Sequence, residues 1–252
     1  MTQTSVAAAH VAEGDFRVGS VISRSISLLS RHVPAFLIVA LIAYSPVLLT
    51  AKTQTTEPTD LAQAWGALVG ALLVLIPLIV LSTFGEAVIM HAAFQDMRRR
   101  PVRLAESLNV ALRRFLPIVG FAFVATFLIQ LGLMLLIIPG LILYTIWFVG
   151  LPACMIERLG PWTSLRRSGQ LTKGHRWKLF GLAFLIIIPS LGSLLIQSVL
   201  AAVAGPIVAL IGRLIWKAIW AAFASVVIVV TYHDLRVAKE GIDIEQIACV
   251  FD

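Results

Sequence analysis

Apolar residues gather into long stretches along this chain, and short polar, basic segments separate them. Six stretches approach or exceed the roughly 20 residues that a helix needs to cross the hydrocarbon core of a bilayer. They cover about residues 34–50, 64–94, 117–138, 141–156, 179–203 and 207–232. The second stretch is longer than a membrane requires, so we expect it to tilt or protrude. The pattern predicts an all-α integral membrane protein with about six transmembrane helices.

A basic amphipathic segment precedes each pair of apolar stretches. In residues 16–33, Arg17, Arg24 and Arg31 share one helical face, and apolar residues occupy the rest. A second such helix covers 104–115 and ends at Arg113 and Arg114, and residues 157–178 form the third basic segment. Helices of this kind lie in the membrane interface with their arginines toward lipid phosphates.

The basic segments and their stretches form a unit that recurs three times, at about 16–98, 99–158 and 159–236. Ser30-Arg31-His32-Val33-Pro34 resembles Arg113-Arg114-Phe115-Leu116-Pro117, and Phe94-Gln95-Asp96-Met97-Arg98 recurs as Tyr232-His233-Asp234-Leu235-Arg236. Three hairpin-like repeats would pack as a pseudo-threefold bundle. We therefore expect a flexible N-terminus over 1–15, one membrane domain over 16–236, and a C-terminal tail over 237–252.

The distribution of charge predicts the topology. Of the 20 Lys and Arg residues, only Lys52, Arg213 and Lys217 lie outside the four basic segments 1–33, 94–116, 157–178 and 233–252. Positive residues stay on the cytoplasmic side, so these segments and both termini are predicted to be cytoplasmic, in a bacterial inner membrane. With 59% hydrophobic and 13% charged residues, the chain is not a soluble domain. Its net charge of +7 fits contact with anionic lipids, and we expect no nucleic acid partner.

Two ionisable residues, Glu86 and His91, interrupt the second stretch. Such groups are costly inside a membrane, so they form a possible intramembrane polar site, either a proton or cation relay or a contact for a lipid head group. Alternatively, the helix projects into the cytoplasm and leaves both residues at the interface. The excess length of the stretch favours the second interpretation.

Arg213 and Lys217 are four residues apart and share one face of the sixth helix, near Trp216 and Trp220. One interpretation is an anion site for a lipid phosphate or a substrate. The other is a pair of side chains that snorkel to the outer interface within an aromatic belt. The sequence supports both equally.

No catalytic, cofactor or metal motif accompanies these residues. HExxH, GxSxG, P-loop and GxGxxG patterns are absent, so we expect a protein that is not an enzyme and that holds no cofactor. Cys154 and Cys249 lie near predicted cytoplasmic ends, where a disulfide is not expected.

The chain resembles the bacterial membrane proteins related to the membrane domain of glycerophosphoryl diester phosphodiesterases. Three places carry the resemblance. The first is Phe16-Arg17-Val18-Gly19 with residues 25–34, and the second is Ser168-Gly169-Gln170-Leu171-Thr172-Lys173-Gly174-His175-Arg176-Trp177. The third is Tyr232-His233-Asp234-Leu235-Arg236, followed by Lys239-Glu240-Gly241-Ile242-Asp243 and Val250-Phe251-Asp252. The resemblance implies a six-helix inner-membrane protein, mostly of unassigned function. The phosphodiesterase active site belongs to a separate soluble domain that has no counterpart here, so the resemblance does not imply that activity.

Three functions remain open. The first is a non-catalytic membrane protein that binds anionic lipid or a membrane partner in envelope organisation, because the basic helices would form a cationic collar. The second is a transporter or channel for a small or amphiphilic solute, which Glu86, His91, Arg213 and Lys217 suggest together with spans broken by prolines. The third is an enzyme acting on lipid, for which no catalytic group is evident. Small residues such as Gly66 and Gly70 leave a homo-oligomer possible.

Overall fold

The computed structural model describes residues 16–52 and 60–240. The predicted flexible segment 1–15, residues 53–59 of the first loop, and residues 241–252 of the tail lie outside the described residues. Within the described residues, every regular element is a helix. The elements are α1 (Val18–Tyr44) with a 3-10 helix (Ser45–Lys52), α2 (Leu61–Met97), α3 (Leu104–Arg113), α4 (Phe115–Leu135), α5 (Ile137–Ile146), α6 (Gly150–Ile156), α7 (Pro161–Thr172), α8 (Arg176–Ala204) and α9 (Pro206–Glu240).

Six of these helical stretches are long and apolar enough to cross a membrane. They are Val18–Leu49, Leu61–Met97, Phe115–Leu135, Ile137–Ile156, Arg176–Ala204 and Pro206–Glu240. The prediction of an all-helical chain with six potential spans is therefore confirmed, and the fold is compatible with a multi-pass membrane protein. With 37 residues, α2 is about 55 Å long and exceeds a hydrocarbon core of about 30 Å. The last helix, α9, runs to Glu240, four residues into the predicted tail.

Three similar backbone breaks separate basic helical segments from apolar ones. They occur at His32 (φ −127°, ψ 23°), Arg114 (φ −111°, ψ 17°) and His175 (φ −115°, ψ 13°), which we call the break residues. At the first, Pro34 lacks the N–H that would continue the helix ladder. Before the third, Gly174 takes φ +93°, a conformation that favours glycine. The chain thus changes direction where its composition changes from basic to apolar.

The fourth apolar stretch is not one continuous helix. Helix α5 ends at Ile146, and α6 begins only at Gly150. Pro152 has no N–H to offer the carbonyl of Phe148, and its ring crowds that carbonyl, so the helix breaks here. The predicted span at 141–156 therefore consists of two short helices.

A Pro-Gly pair is typical of a tight turn, so the sequence predicts one at Pro139-Gly140, between the third and fourth apolar stretches. This prediction is wrong. The chain turns at Leu136, where φ is −158° and ψ is 138°, and Pro139 and Gly140 lie inside α5. A proline in the first turn of a helix loses no hydrogen bond, because the N–H groups of that turn have no helical acceptor. Gly140 is needed for packing instead, since an added Cβ would lie 2.4 Å from Leu133 Cγ.

The packed core lies toward one end of the bundle. In α2 the buried residues fall between Gly85 and Gln95, whereas residues 61–79 contain none. In α9 they run mainly from Ala218 to Leu235. We call this end the basic end. It is formed by α3, α7 and the last turns of α2 and α9. The end that carries the turns at Leu136 and Gly205 is the turn end.

Candidate functional site

A close approach of α1 and α2 places a tyrosine against a glutamate inside the bundle. A Cβ added at Gly85 would lie only 2.2 Å from the Cβ of Ala43, so the helices meet at this glycine. The next residue along each helix adds a polar contact. The Tyr44 hydroxyl donates a hydrogen bond of 2.6 Å to Glu86 Oε1. Both residues lie within candidate spans. A carboxylate in such a place needs a hydrogen-bond donor, and Tyr44 supplies it.

Glu86 lines a cavity of about 200 Å³ between the helices. Its polar lining consists of Tyr44, Glu86, Tyr144, Ser190, Lys217 and Ser225. These residues come from five helices, so the site exists only in the folded bundle. The cavity is smaller than the roughly 300–1,000 Å³ of pockets for drug-sized ligands. Its size suits a small solute.

One row of residues on α9 forms a wall of this cavity. Lys217, Ala221 and Ser225 all line it and follow one another at intervals of four, which places them on one face of the helix. Arg213 continues the row by one turn toward the turn end, and its buried Nε has no hydrogen-bond partner. The Oγ of Ser225 is likewise buried without a partner. The row therefore carries two cations and one free hydroxyl.

Two tryptophans next to the α9 row hold α9 against α8. The indole N–H of Trp216 donates to the Pro189 carbonyl at 2.9 Å, and that of Trp220 to the Ile186 carbonyl at 2.8 Å. Both rings line the cavity. Because each N–H is already bonded, the rings offer a solute apolar and π surface but no donor.

A second cavity of about 200 Å³ meets the first at Glu86, Tyr144 and Ile228, which line both. Its other lining residues are mostly apolar, with hydroxyls from Thr83 and Thr126. Glu86 therefore stands between two spaces in the bundle. A carboxylate at such a junction can contact a solute or water in either space.

Ion pairs close the basic end. Arg167 of α7 donates to both oxygens of Glu157, at 3.0 and 2.8 Å, and also contacts Glu240. Glu240 in turn accepts from Arg236 at 3.0 Å, and the Tyr232 hydroxyl donates to Glu157 at 2.7 Å. Burial disfavours the charged form of Arg167, but its hydrogen bonds to Glu240 and Glu157 outweigh this and raise its pKa. The network ties α7 to the end of α9.

A second set of contacts ties α1 to α9 and α2. Arg24 donates to Asp234 at 2.8 Å, and the His32 ring lies in hydrogen-bond contact with Asp96 at 3.1 Å. Arg31 is 4.0 Å from Asp96, and its side chain is 67% exposed. The first helix is therefore joined to the last one at the basic end.

The remaining predicted residues are spread over the same end. Arg17 and Arg113 are exposed, and Arg113 Nε donates to Asn109 within α3. Arg114 is engaged, because its guanidinium donates to the carbonyls of Cys154, Arg158 and Leu159. It holds the end of α6 and is not available to a lipid phosphate through those donors.

His91 does not share the environment of Glu86. Its Nδ1 lies 3.0 Å from Ser107 Oγ on α3, which is a hydrogen-bond contact. Glu86 and His91 are five residues apart in α2, and this separation places their side chains about 140° apart around the helix axis. The structure thus separates these two predicted residues, whereas it brings Glu86 and Lys217 to one cavity.

Sequence reasoning missed Tyr44, Tyr144 and Ser225. A signal was present for the tyrosines, because each places a hydroxyl inside an apolar stretch. It did not say which charged residue they would meet. No group of His, Cys, Asp and Glu within the described ranges could hold a metal ion.

In comparisons with known proteins, no family model, no curated sequence and no solved structure matches the chain. The resemblance to the membrane domain of glycerophosphoryl diester phosphodiesterases therefore stays an expectation.

Proposed function

We propose that this chain is a carrier in the bacterial inner membrane, and that a small solute binds in the cavity between Glu86 and Lys217. The observation that carries the proposal is the lining itself: an acid from α2 and a base from α9 share one cavity within the candidate spans. The described residues show no ion pair between these two side chains. Ionisable groups inside a membrane protein are costly and typically mark solute pathways.

The helices around the cavity support this function. Substrate sites of secondary transporters lie where spanning helices are interrupted, since interruptions free backbone groups for binding. Pro189 lies inside α8, which continues through it, but its ring removes one backbone N–H from the helix beside Trp216. On another side of the cavity, the break between α5 and α6 lies just beyond Tyr144. The ion pairs at the basic end then act as a closed gate in this proposal.

We also propose that the bundle consists of three repeated units. Ser25, Ser107 and Ser168 each lie seven residues before a break residue, and all three are fully buried. Arg24 and Arg167 each lie eight residues before one, and each pairs with an acid at the end of another unit. The pair from Arg24 joins the third unit to the first, as a closed pseudo-threefold arrangement requires.

In this proposal the basic end and both termini face the cytoplasm. Most Lys and Arg residues lie at that end, as the positive-inside rule expects.

The first test asks whether water reaches the cavity. In a Cys154→Ala, Cys249→Ala background, Ala221→Cys places a thiol on the cavity wall, and Ile219→Cys places one on the exposed apolar face of α9. A membrane-impermeant methanethiosulfonate reagent should modify Ala221→Cys from at least one side of a vesicle and should spare Ile219→Cys. The same vesicles, loaded with a panel of small solutes, should then show protein-dependent exchange. If the reagent does not modify Ala221→Cys from either side and no solute is exchanged, the proposed carrier function is refuted.

A second candidate function is the binding of anionic lipid at the basic end. The favouring observation is that Arg24 and Arg31 keep side chains 53% and 67% exposed despite their acidic neighbours. Native mass spectrometry in membrane-derived nanodiscs would test it. A defined anionic lipid that is lost with Arg24→Ala, Arg31→Ala but kept with Arg213→Ala, Lys217→Ala would place such a site at the basic end.

A further inference from the structure

The carrier's cavity is lined by an acidic and a basic side chain, Glu86 and Lys217, that form no ion pair with each other in the described residues. Glu86 is held by Tyr44 on α1, and Lys217 belongs to the α9 row with Arg213 behind it. From this arrangement we propose that the solute is a small zwitterion, with its ammonium group at Glu86 and its anionic group at Lys217. This inference rests on the proposed carrier function.

The order of residues along α9 gives the solute its orientation. Ile228 lines both cavities together with Glu86, whereas Lys217 lies eleven residues earlier on the helix. That separation corresponds to about 16 Å of helix rise, which the length of the lysine side chain partly spans. The acid therefore lies toward the basic end and the cation toward the turn end. A solute with charges at its two ends fits such a space better than one with a single charge.

The uncharged lining is consistent with the same solute. On the α9 row, Ser225 lies two turns beyond Lys217 on the side of Ile228, and its buried Oγ has no partner. A buried hydroxyl costs free energy unless something bonds to it, and rotation of the Ser225 side chain is needed before its Oγ can meet an occupant of the cavity. Ala221, one turn from Ser225, leaves room for that occupant.

The aromatic residues favour an ammonium group over other polar groups. Tyr44 donates to Glu86, and Tyr144 lines both cavities together with Glu86, so two aromatic rings accompany the acid. A cation gains from contact with aromatic faces, most strongly away from water. The two indole N–H groups are bonded to α8, so they cannot compete with Lys217 for the anionic end.

Binding of ω-amino acids to the purified full chain tests the inference. The probes are 4-aminobutanoate and 6-aminohexanoate, each compared with the carboxylate and the amine of the same length. At least one zwitterion should bind about tenfold more tightly than both single-charge analogues. The reason is that the free energy of one hydrogen bond to a charged group corresponds to about a tenfold change in affinity or more. Glu86→Gln should reduce it to the affinity of the carboxylate, and Lys217→Met to that of the amine.

Matched variants outside the cavity separate a local effect from a general change in charge. Glu106→Gln on α3 and Lys173→Met after α7 alter exposed residues and should leave every affinity unchanged. The inference is overturned if a carboxylate or an amine binds as tightly as its zwitterion, or if no probe binds. If a single-charge probe binds and Ala221→Cys is reached by water, the carrier stands and only its substrate class is wrong. If water does not reach the cavity and nothing is exchanged, the carrier itself fails.

Discussion

The contact between Gly85 and Ala43 determines whether Tyr44 reaches Glu86, so Gly85→Ala is the most informative single change. Carbon atoms pack at about 3.5–4.0 Å, and the new Cβ would meet the Ala43 Cβ at 2.2 Å. The two helices must separate by more than about 1 Å, which strains the 2.6 Å hydrogen bond one residue away. Overpacking costs about 1–3 kcal/mol, and loss of a hydrogen bond to a charged group costs about 1.5–3 kcal/mol. Alanine regains about 1 kcal/mol of helix propensity, so we expect a net loss of about 2–4 kcal/mol.

The assay is unfolding of the purified chain in mixed micelles, with the free energy of unfolding as the readout. Gly70→Ala is the matched control, because an added Cβ there meets nothing within 4 Å. It should be neutral or stabilising by up to about 1 kcal/mol. Ala43→Gly combined with Gly85→Ala removes the clash and should recover part of the loss. Equal stability of the Gly85→Ala and Gly70→Ala variants would show that the helices do not depend on this contact.

Two further changes test the polar contacts. Among the described residues, Tyr44 is the one whose hydroxyl bonds to the Glu86 carboxylate, so Tyr44→Phe should show a loss of about 1–3 kcal/mol on unfolding in micelles. Tyr144→Phe should cost less, and an equal loss would contradict the assignment. Arg167→Ala leaves two carboxylates at the basic end without their shared cation and should cost about 1–3 kcal/mol in the same assay. Arg166→Ala, at an exposed neighbour, should be neutral, and a comparable loss there would refute the role of the network.

Much of the fold could be predicted because the bilayer imposes one simple rule on sequence. Spanning helices must be apolar for about 20 residues, and that pattern is visible without tertiary information. The helix boundaries near Pro34 and Gly205 were also accessible, since these residues restrict or relax the backbone locally. The same local logic failed at Pro139-Gly140, because the usual turn meaning of that pair depends on where the preceding helix ends. Its actual role is close packing against Leu133 on α4.

Only part of the candidate site could be predicted from the sequence, for a related reason. Glu86 and Lys217 stood out individually, because charge within an apolar stretch is conspicuous in any sequence. Their common cavity depends on how α2 and α9 are rotated about their axes, and packing at small residues such as Gly85 and Ala218 sets that rotation. The same rotation separates His91 from Glu86 and directs it to Ser107. Sequence therefore identified the charges that need an explanation, and the packing of small residues determined which of them line one cavity.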